Sequence, residues 1–210
     1  MTVLRSLLFG FAFYGGTIVI GFLYLPLILL PEWIGRPFFR FWIFYGVACA
    51  WLFAGIKYRV VYAEGAALAD GPAIYASKHQ SAWETMAFSH ILPKPVFVLK
   101  QELKSVPFFG WYLSKMRMIA VDRAAGASGV TAPYRPGVYA LYRALNVPVI
   151  PIALDSGMRW RRNSFLKRAG TITVSILPAI PPGLDRQSFM DRLENVIESE
   201  CKRIGEETCG

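Results

Sequence analysis

The sequence is poor in charged side chains, in histidine and in cysteine. Only 18% of its 210 residues are charged, whereas a typical soluble domain is about a quarter charged. The three cysteines, Cys49, Cys201 and Cys209, have neither metal-binding nor redox spacing, which predicts a reducing compartment and no metal centre. The chain has two histidines, so any chemistry that needs an imidazole must use one of them.

Apolar residues are concentrated at the N-terminus instead. Residues 7–30 carry no charge, which is typical of a membrane helix and too long for the core of a signal peptide. A second apolar run, residues 41–56, would span only about 24 Å as a helix, less than a hydrocarbon core of about 30 Å. The adjacent Gly15 and Gly16 are interpreted as a site of close helix packing.

The charges around these two runs are nearly all basic. A basic loop between the runs disfavours a position on the outer side of the membrane. We therefore expect residues 1–57 to form a membrane-anchoring hairpin that enters and leaves on the cytoplasmic face of the inner membrane. Two full spans are the alternative.

Residues 58–210 have the pattern of an α/β domain. Apolar and β-branched segments predict strands at 58–63, 72–77, 95–100, 118–123, 147–154 and 170–177, with helices beginning near residues 81, 108, 137 and 185. This alternation predicts a mostly parallel sheet flanked by helices. The strand at 72–77 is expected to be buried on both faces. The two prolines of the strand at 147–154 favour an edge or a strand end.

The stretch SKHQSAWETMAF, residues 77–88, allows two interpretations. Ser81 and Glu84 match a capping box, in which Ser81 caps the helix and Glu84 accepts the Ser81 backbone N–H. Alternatively, Glu84 holds one ring nitrogen of His79, which leaves the other nitrogen as a general base. The spacing alone does not decide between a helix cap and a catalytic pair.

Longer blocks resemble a known family, the 1-acylglycerol-3-phosphate acyltransferases of the PlsC-like type. KHQSAWE is similar to the family's His-x4-Asp motif, with Glu84 in the place of the usual Asp and Lys78 where Asn is common. Residues 99–123 and 134–157 are similar to later blocks of the family, in the same order. The family is membrane-bound, so the N-terminal hairpin agrees with the resemblance.

The resemblance implies a reaction and its participants. An acyl group would move from acyl-ACP or acyl-CoA, as co-substrate, to the free hydroxyl of lysophosphatidate. His79 would be the catalytic base and Glu84 its orienting carboxylate, while Lys100, Arg123 and Arg135 would bind the substrate phosphate. Membrane lipids are the other expected partners, and neither a cofactor, a metal nor a nucleic acid is expected. Another lysolipid, such as lyso-ornithine lipid, is an alternative acceptor.

One block of the family is missing. The strand that ends in Phe-Pro-Glu-Gly-Thr-Arg, whose Arg is assigned to the substrate phosphate, has no counterpart after Arg123. The 13 residues 124–136 are too few for a helix, a strand and their loops. Either the protein lacks the block or its residues are omitted from the sequence, and the good match on both sides favours omission. A true loss would favour a catalytically dead, lipid-binding scaffold.

A basic stretch that also contains Trp160, Phe165 and Leu166, MRWRRNSFLKR (residues 158–168), falls outside these blocks. Nucleic-acid binding is one interpretation of such a pattern. In a chain with a membrane hairpin, contact with anionic lipid headgroups is favoured over it. A solvated loop without function is the third interpretation.

Overall fold

The computed structural model describes residues 1–105, 109–116, 118–121 and 137–209. The chain divides into two compact units, one of Met1–Gly55 with Thr85–Thr131 and one of Ile56–Glu84 with Ala132–Gly210. We call the first the N-terminal unit and the second the sheet unit. The expected boundary after Lys57 stays a prediction.

Two apolar helices begin the N-terminal unit. They are α1 (Thr2–Leu23) and α2 (Trp33–Ala54), each 22 residues and each long and apolar enough to cross a membrane. A 3₁₀ turn, Leu25–Ile28, follows α1 and contains Pro26. The second helix is longer than the 16-residue apolar run because it begins eight residues earlier and takes in Arg36 and Arg40. At about 33 Å, its length no longer argues against a full span.

The two helices approach closely at Gly16. A Cβ there would lie 2.0 Å from the Tyr45 hydroxyl oxygen, whereas a Cβ at Gly15 would meet nothing within 4 Å. The Tyr45 hydroxyl donates a hydrogen bond to the Ala12 carbonyl at 2.5 Å, and Trp42 Nε1 donates to Thr17 Oγ1 at 3.1 Å. The predicted packing role of the glycine pair is therefore confirmed at Gly16.

The rest of the N-terminal unit contains short elements. Helix α3 (Trp83–Ile91) starts at the end of the sheet unit's first segment and continues into this unit. A two-stranded parallel sheet joins β3 (Val98–Lys100) to β4 (Ile119–Val121), with a 3₁₀ turn, Gln101–Ser105, and α4 (Phe109–Lys115) between them along the chain.

The sheet unit is built on four strands in the order β1-β6-β5-β2. They are β1 (Ile56–Tyr62), β2 (Ile74–Ser77), β5 (Val149–Leu154) and β6 (Gly170–Ile176). The β1–β6 and β2–β5 pairs are parallel, and β5–β6 is antiparallel. With β3–β4, three of the four pairings are parallel, so the predicted mostly parallel sheet is confirmed.

Two expectations about the strands are wrong. Strand β5 lies inside the sheet, not at an edge. Pro151 is tolerated because the three residue pairs that join β5 to β6 begin one residue later, at Ile152. The Pro151 carbonyl still accepts the Leu177 N–H at 3.0 Å. Strand β2 is one of the two edge strands, and it is half-buried along its length where full burial was expected.

Helices α5 (Gly137–Leu145) and α7 (Arg186–Cys209) cover the sheet, while α6 (Ser156–Arg159) is a single turn after β5. The long helix α7 turns the apolar side predicted from its periodicity toward the core. The buried cluster there consists of Tyr142, Val149, Ile180, Phe189, Leu193 and Ile197. The rings of Tyr142 and Phe189 stack at 4.1 Å between centroids, which adds to the apolar area removed from water.

Candidate active site

The site lies where β2 and β5 end. These strands run parallel, and Ser77, the last residue of β2, is in register with Ile152. Ligand sites of open α/β sheets gather beyond the carboxyl ends of such strands. The loop from Lys78 to Ala82 and the turn that begins with Asp155 therefore leave the sheet at the same edge.

A capping box shapes the first of these loops. The Trp83 backbone N–H donates to Ser81 Oγ at 3.0 Å, and the Ser81 backbone N–H donates to Glu84 Oε1 at 2.7 Å. The Gln80 N–H donates to the same carboxylate oxygen at 2.6 Å. These bonds satisfy backbone donors that the first turn of a helix leaves without partners. The predicted helix cap is thus present.

The same carboxylate also holds His79. The His79 Nδ1 atom lies 3.0 Å from Glu84 Oε1, and the histidine side chain is 58% exposed while that of Glu84 is buried. A proton on Nδ1 makes this contact a hydrogen bond and leaves Nε2 as the basic nitrogen. The two interpretations of the motif are therefore compatible, because the cap places Glu84 where it reaches the imidazole.

The environment of Glu84 keeps the buried carboxylate charged. Burial by itself would raise the pKa of Glu84, but hydrogen bonds from His79 and from the Ser81 backbone and hydroxyl outweigh it, so the pKa lies below the ordinary value. Each of these donors favours the ionised form. A carboxylate that stays ionised stabilises an imidazolium beside it, which is what a histidine base becomes after it takes a proton.

Ser156 and Gln80 complete the site, and the sequence analysis did not single them out. The hydroxyls of Ser156 and Ser81 donate to Glu84 Oε2 at 2.9 and 2.7 Å. Gln80 donates to the Leu154 carbonyl at 2.8 Å and accepts the Gly157 N–H at 2.9 Å. The sequence contained one indication of Ser156. It follows a predicted buried strand by two residues, and ligand sites lie at the ends of such strands.

The other predicted residues lie in different places. Lys78 forms an ion pair with Glu198 of α7 at 2.8 Å, which gives this unusual residue of the motif a structural partner. Lys100 is exposed at the end of β3, in the N-terminal unit. Arg123 and Arg135 lie outside the described residues, as does the expected position of the missing block. Within the described ranges, no cluster of three or more His, Cys, Asp or Glu could hold a metal ion.

The chain is similar to known proteins in sequence and in fold. The Acyltransferase family model matches residues 59–132, which include the whole His79–Glu84 motif. A 1-acyl-sn-glycerol-3-phosphate acyltransferase of Pseudomonas aeruginosa is 32% identical over 169 residues, covering 66% of this chain and 65% of that protein. The chain thus spans about two thirds of the length of this relative.

A solved structure shows the same fold along nearly the whole chain. The crystal structure of the lysophosphatidate acyltransferase PlsC from Thermotoga maritima superposes with a TM-score of 0.70, covering 97% of this chain and 98% of that one at 16% sequence identity. The fold of the chain is therefore the fold of this acyltransferase structure. Residues 59–132 of the chain match the Acyltransferase family model, and both of these similar proteins are named as 1-acyl-sn-glycerol-phosphate acyltransferases.

Proposed function

We propose that the protein transfers a fatty acyl group from an acyl thioester to the free hydroxyl of lysophosphatidate, giving phosphatidate. The observation that carries the proposal is the pairing of the exposed His79 ring with the buried Glu84 carboxylate at 3.0 Å. The activity named for the P. aeruginosa and T. maritima proteins supports the choice of lysophosphatidate as acceptor.

His79 acts as the general base in this mechanism. Its Nε2 removes the proton from the acceptor hydroxyl as the oxygen attacks the thioester carbonyl carbon. The C–S bond then breaks, and the imidazolium returns the proton to the departing thiolate, so an ester and a thiol are formed. Glu84 stabilises the imidazolium meanwhile and fixes the ring so that Nε2 faces the acceptor. The reaction needs no cofactor besides the thioester co-substrate, acyl-ACP or acyl-CoA.

Cations are required for the acceptor phosphate. We assign this role to Lys100, Arg123 and Arg135, on the family resemblance of the blocks that contain them. The missing third block would have supplied a further arginine. If the protein lacks that block, the phosphate is held by fewer cations, and affinity for lysophosphatidate should be weak.

The lysolipid acceptor of this reaction is a membrane lipid. Helices α1 and α2 would anchor the enzyme in the inner membrane, with the sheet unit on the cytoplasmic side where acyl thioesters occur. A hairpin that enters and leaves on this face is the topology that the basic residues between the helices favour. Accessibility labelling of an introduced cysteine at Arg36 from either side of sealed vesicles tests that topology.

An acyl-transfer assay on the purified full-length protein tests the function. We expect His79→Ala to lower kcat by about 10²–10⁴-fold, the usual contribution of a general base, in a protein that still folds. The matched control is His90→Ala, because His90 is the only other histidine of the chain and its ring contacts Phe44 in the N-terminal unit. Equal activity of wild type and His79→Ala would refute the assignment.

The same assay with a panel of lysolipids decides the acceptor. The highest kcat/KM is expected for lysophosphatidate, whereas a preference for lyso-ornithine lipid would move the assignment to that lipid. Binding of lysophosphatidate without turnover by any acceptor, in wild type and variant alike, would identify the scaffold. We expect that outcome if the protein really lacks the phosphate-binding block.

A further inference from the structure

Residues 160–168 of the basic stretch form a surface loop between α6 and β6 of the sheet unit. Phe165 is 55% exposed, and Leu166 next to it is exposed as well. Arg161, Arg162 and Arg168 are exposed around them. We call these five residues the interfacial loop, and we propose that it docks on an anionic lipid surface.

The loop buries a lysine and exposes a phenylalanine. In water-soluble proteins lysine is almost always exposed and phenylalanine is usually buried. Lys167 is only 5% exposed. Its ammonium donates to the Ser164 and Phe165 carbonyls at 2.5 and 3.2 Å and lies 5.4 Å from the centre of the Trp160 ring. The buried cation thereby ties the backbone around the tip. This backbone leaves the side chains of Phe165 and Leu166 exposed. In that position they can contact the hydrocarbon of a lipid surface.

The charges of the loop specify the partner. Residues 156–184 contain no Asp or Glu. Within the part of the chain that the structure describes, none of the three loop arginines forms an ion pair. Guanidinium groups surrounding an exposed aromatic and aliphatic pair match the headgroup boundary of a membrane that contains anionic lipids. A bilayer is favoured over an acidic protein because two helices of the same chain are apolar enough to enter it.

The loop is directly connected to the candidate active site. Helix α6, which precedes it, is bonded to the catalytic motif through Ser156 and Glu84 and through Gly157 and Gln80. Docking of the loop would therefore hold the His79–Glu84 pair at the level of the lipid headgroups, where a lysolipid hydroxyl lies. The inference depends on the loop's own structure and does not require the proposed reaction.

Lipid-dependent quenching of a fluorophore on the full-length protein tests the proposal. An environment-sensitive label is attached at Leu166→Cys, with Cys201 and Cys209 replaced by Ser, and the protein is reconstituted into phosphatidylcholine vesicles with or without phosphatidylglycerol. The lipids carry a quencher on the acyl chains. The matched control carries the label at Asn195→Cys, which is exposed on α7 of the same unit.

We expect quenching at position 166, and not at 195, that increases with phosphatidylglycerol and is lost at 1 M salt, where charges are screened within about 3 Å. Each of Arg161→Gln, Arg162→Gln and Arg168→Gln should lower the docked-to-undocked ratio about fivefold, the equivalent of about 1 kcal/mol for a basic residue near such a surface. Phe165→Ser should lower it further without altering thermal unfolding.

Three results would overturn the proposal. Equal quenching at 166 and 195 identifies a solvated loop. If quenching at 166 depends neither on phosphatidylglycerol nor on the three arginines, the loop does not dock through anionic lipids. A label that responds only to added acyl-carrier protein assigns the loop to docking of an acidic protein. Since none of these measurements needs turnover, their outcome is separate from that of the acyl-transfer assay.

Discussion

The sheet unit and the N-terminal unit are both rich in apolar side chains, but they keep them in opposite places. In the sheet unit, Ile172, Val174, Ile176 and Ile197 are completely buried. In α1 and α2 of the N-terminal unit, large apolar side chains such as Phe11 and Trp33 are mostly exposed. The sheet unit packs its apolar side chains into a core, whereas the helices of the other unit have a surface suited to lipid.

The different surroundings in the two units also explain why the candidate active site lies in the sheet unit. A buried carboxylate needs hydrogen-bond donors in fixed positions, and strand ends and a helix N-terminus supply them in the sheet unit. Glu84 accepts bonds from two backbone N–H groups, two hydroxyls and His79. The membrane-type helices satisfy their own backbone groups internally, as apolar surroundings require. Variants that alter burial should therefore act differently in the two units.

The largest effect is expected at Glu84, the buried charge of the sheet unit. Glu84→Ala leaves several buried donors without an acceptor, at about 1–3 kcal/mol for each unsatisfied group, and it also frees His79. We expect kcat to fall nearly as far as in His79→Ala and the protein to be clearly destabilised in thermal unfolding.

Glu84→Gln separates the two roles of this side chain. The amide keeps an oxygen that can accept the capping N–H groups but loses the charge that stabilises an imidazolium. We expect most of the stability to be retained and most of the activity to be lost. Wild-type kcat in Glu84→Gln would show that the residue is a helix cap alone.

A pair of core and surface truncations tests the comparison between the units directly. Ile197→Ala removes a fully buried side chain in the sheet unit and should lower the free energy of unfolding by about 2–5 kcal/mol. Phe11→Ala removes a larger side chain from the exposed surface of α1 and should change stability by about 0.5 kcal/mol or less in detergent. Chemical unfolding of both variants in one detergent provides the measurement, and a larger loss in Phe11→Ala would break the comparison.

Local sequence patterns predicted the elements well because their causes are local. The strand expected at 170–177 is observed at Gly170–Ile176, and the helix expected to begin near residue 137 is observed at Gly137–Leu145. The capping box was also predictable, since its residues are three positions apart. The extent of α2 was not, because its first turns contain two arginines that interrupt the apolar pattern.

Long-range partners were not predictable from the sequence. Ser156 and Glu84 are 72 positions apart, and only the pairing of β2 with β5 brings them together. The interior position of β5 likewise depends on the register that starts its antiparallel ladder after Pro151. Such features follow from strand order, which propensity and periodicity do not determine.

Ser156 is therefore a test of what the fold adds to the motif. Ser156→Ala removes one hydroxyl donor from the buried Glu84 carboxylate, at about 1–2 kcal/mol, and should lower kcat about tenfold. A purely structural serine would lower stability and leave kcat unchanged.

The smallest predicted effect is the contribution of Glu84 to the pH dependence of stability. Its pKa is lower in the folded protein than in the unfolded chain, so the ionised form stabilises the fold. This stabilisation is fully present above the ordinary glutamate pKa of about 4.3 and is lost as the pH falls below it toward the folded-state pKa. Thermal unfolding from about pH 5 down to about pH 3 should therefore show a steeper loss for wild type than for Glu84→Gln. Glu200, whose pKa is also lowered, chiefly by its bond with Arg203, is present in both proteins and cancels in their difference. Parallel curves would mean that His79 and the serines hold Glu84 in place without stabilising its charge.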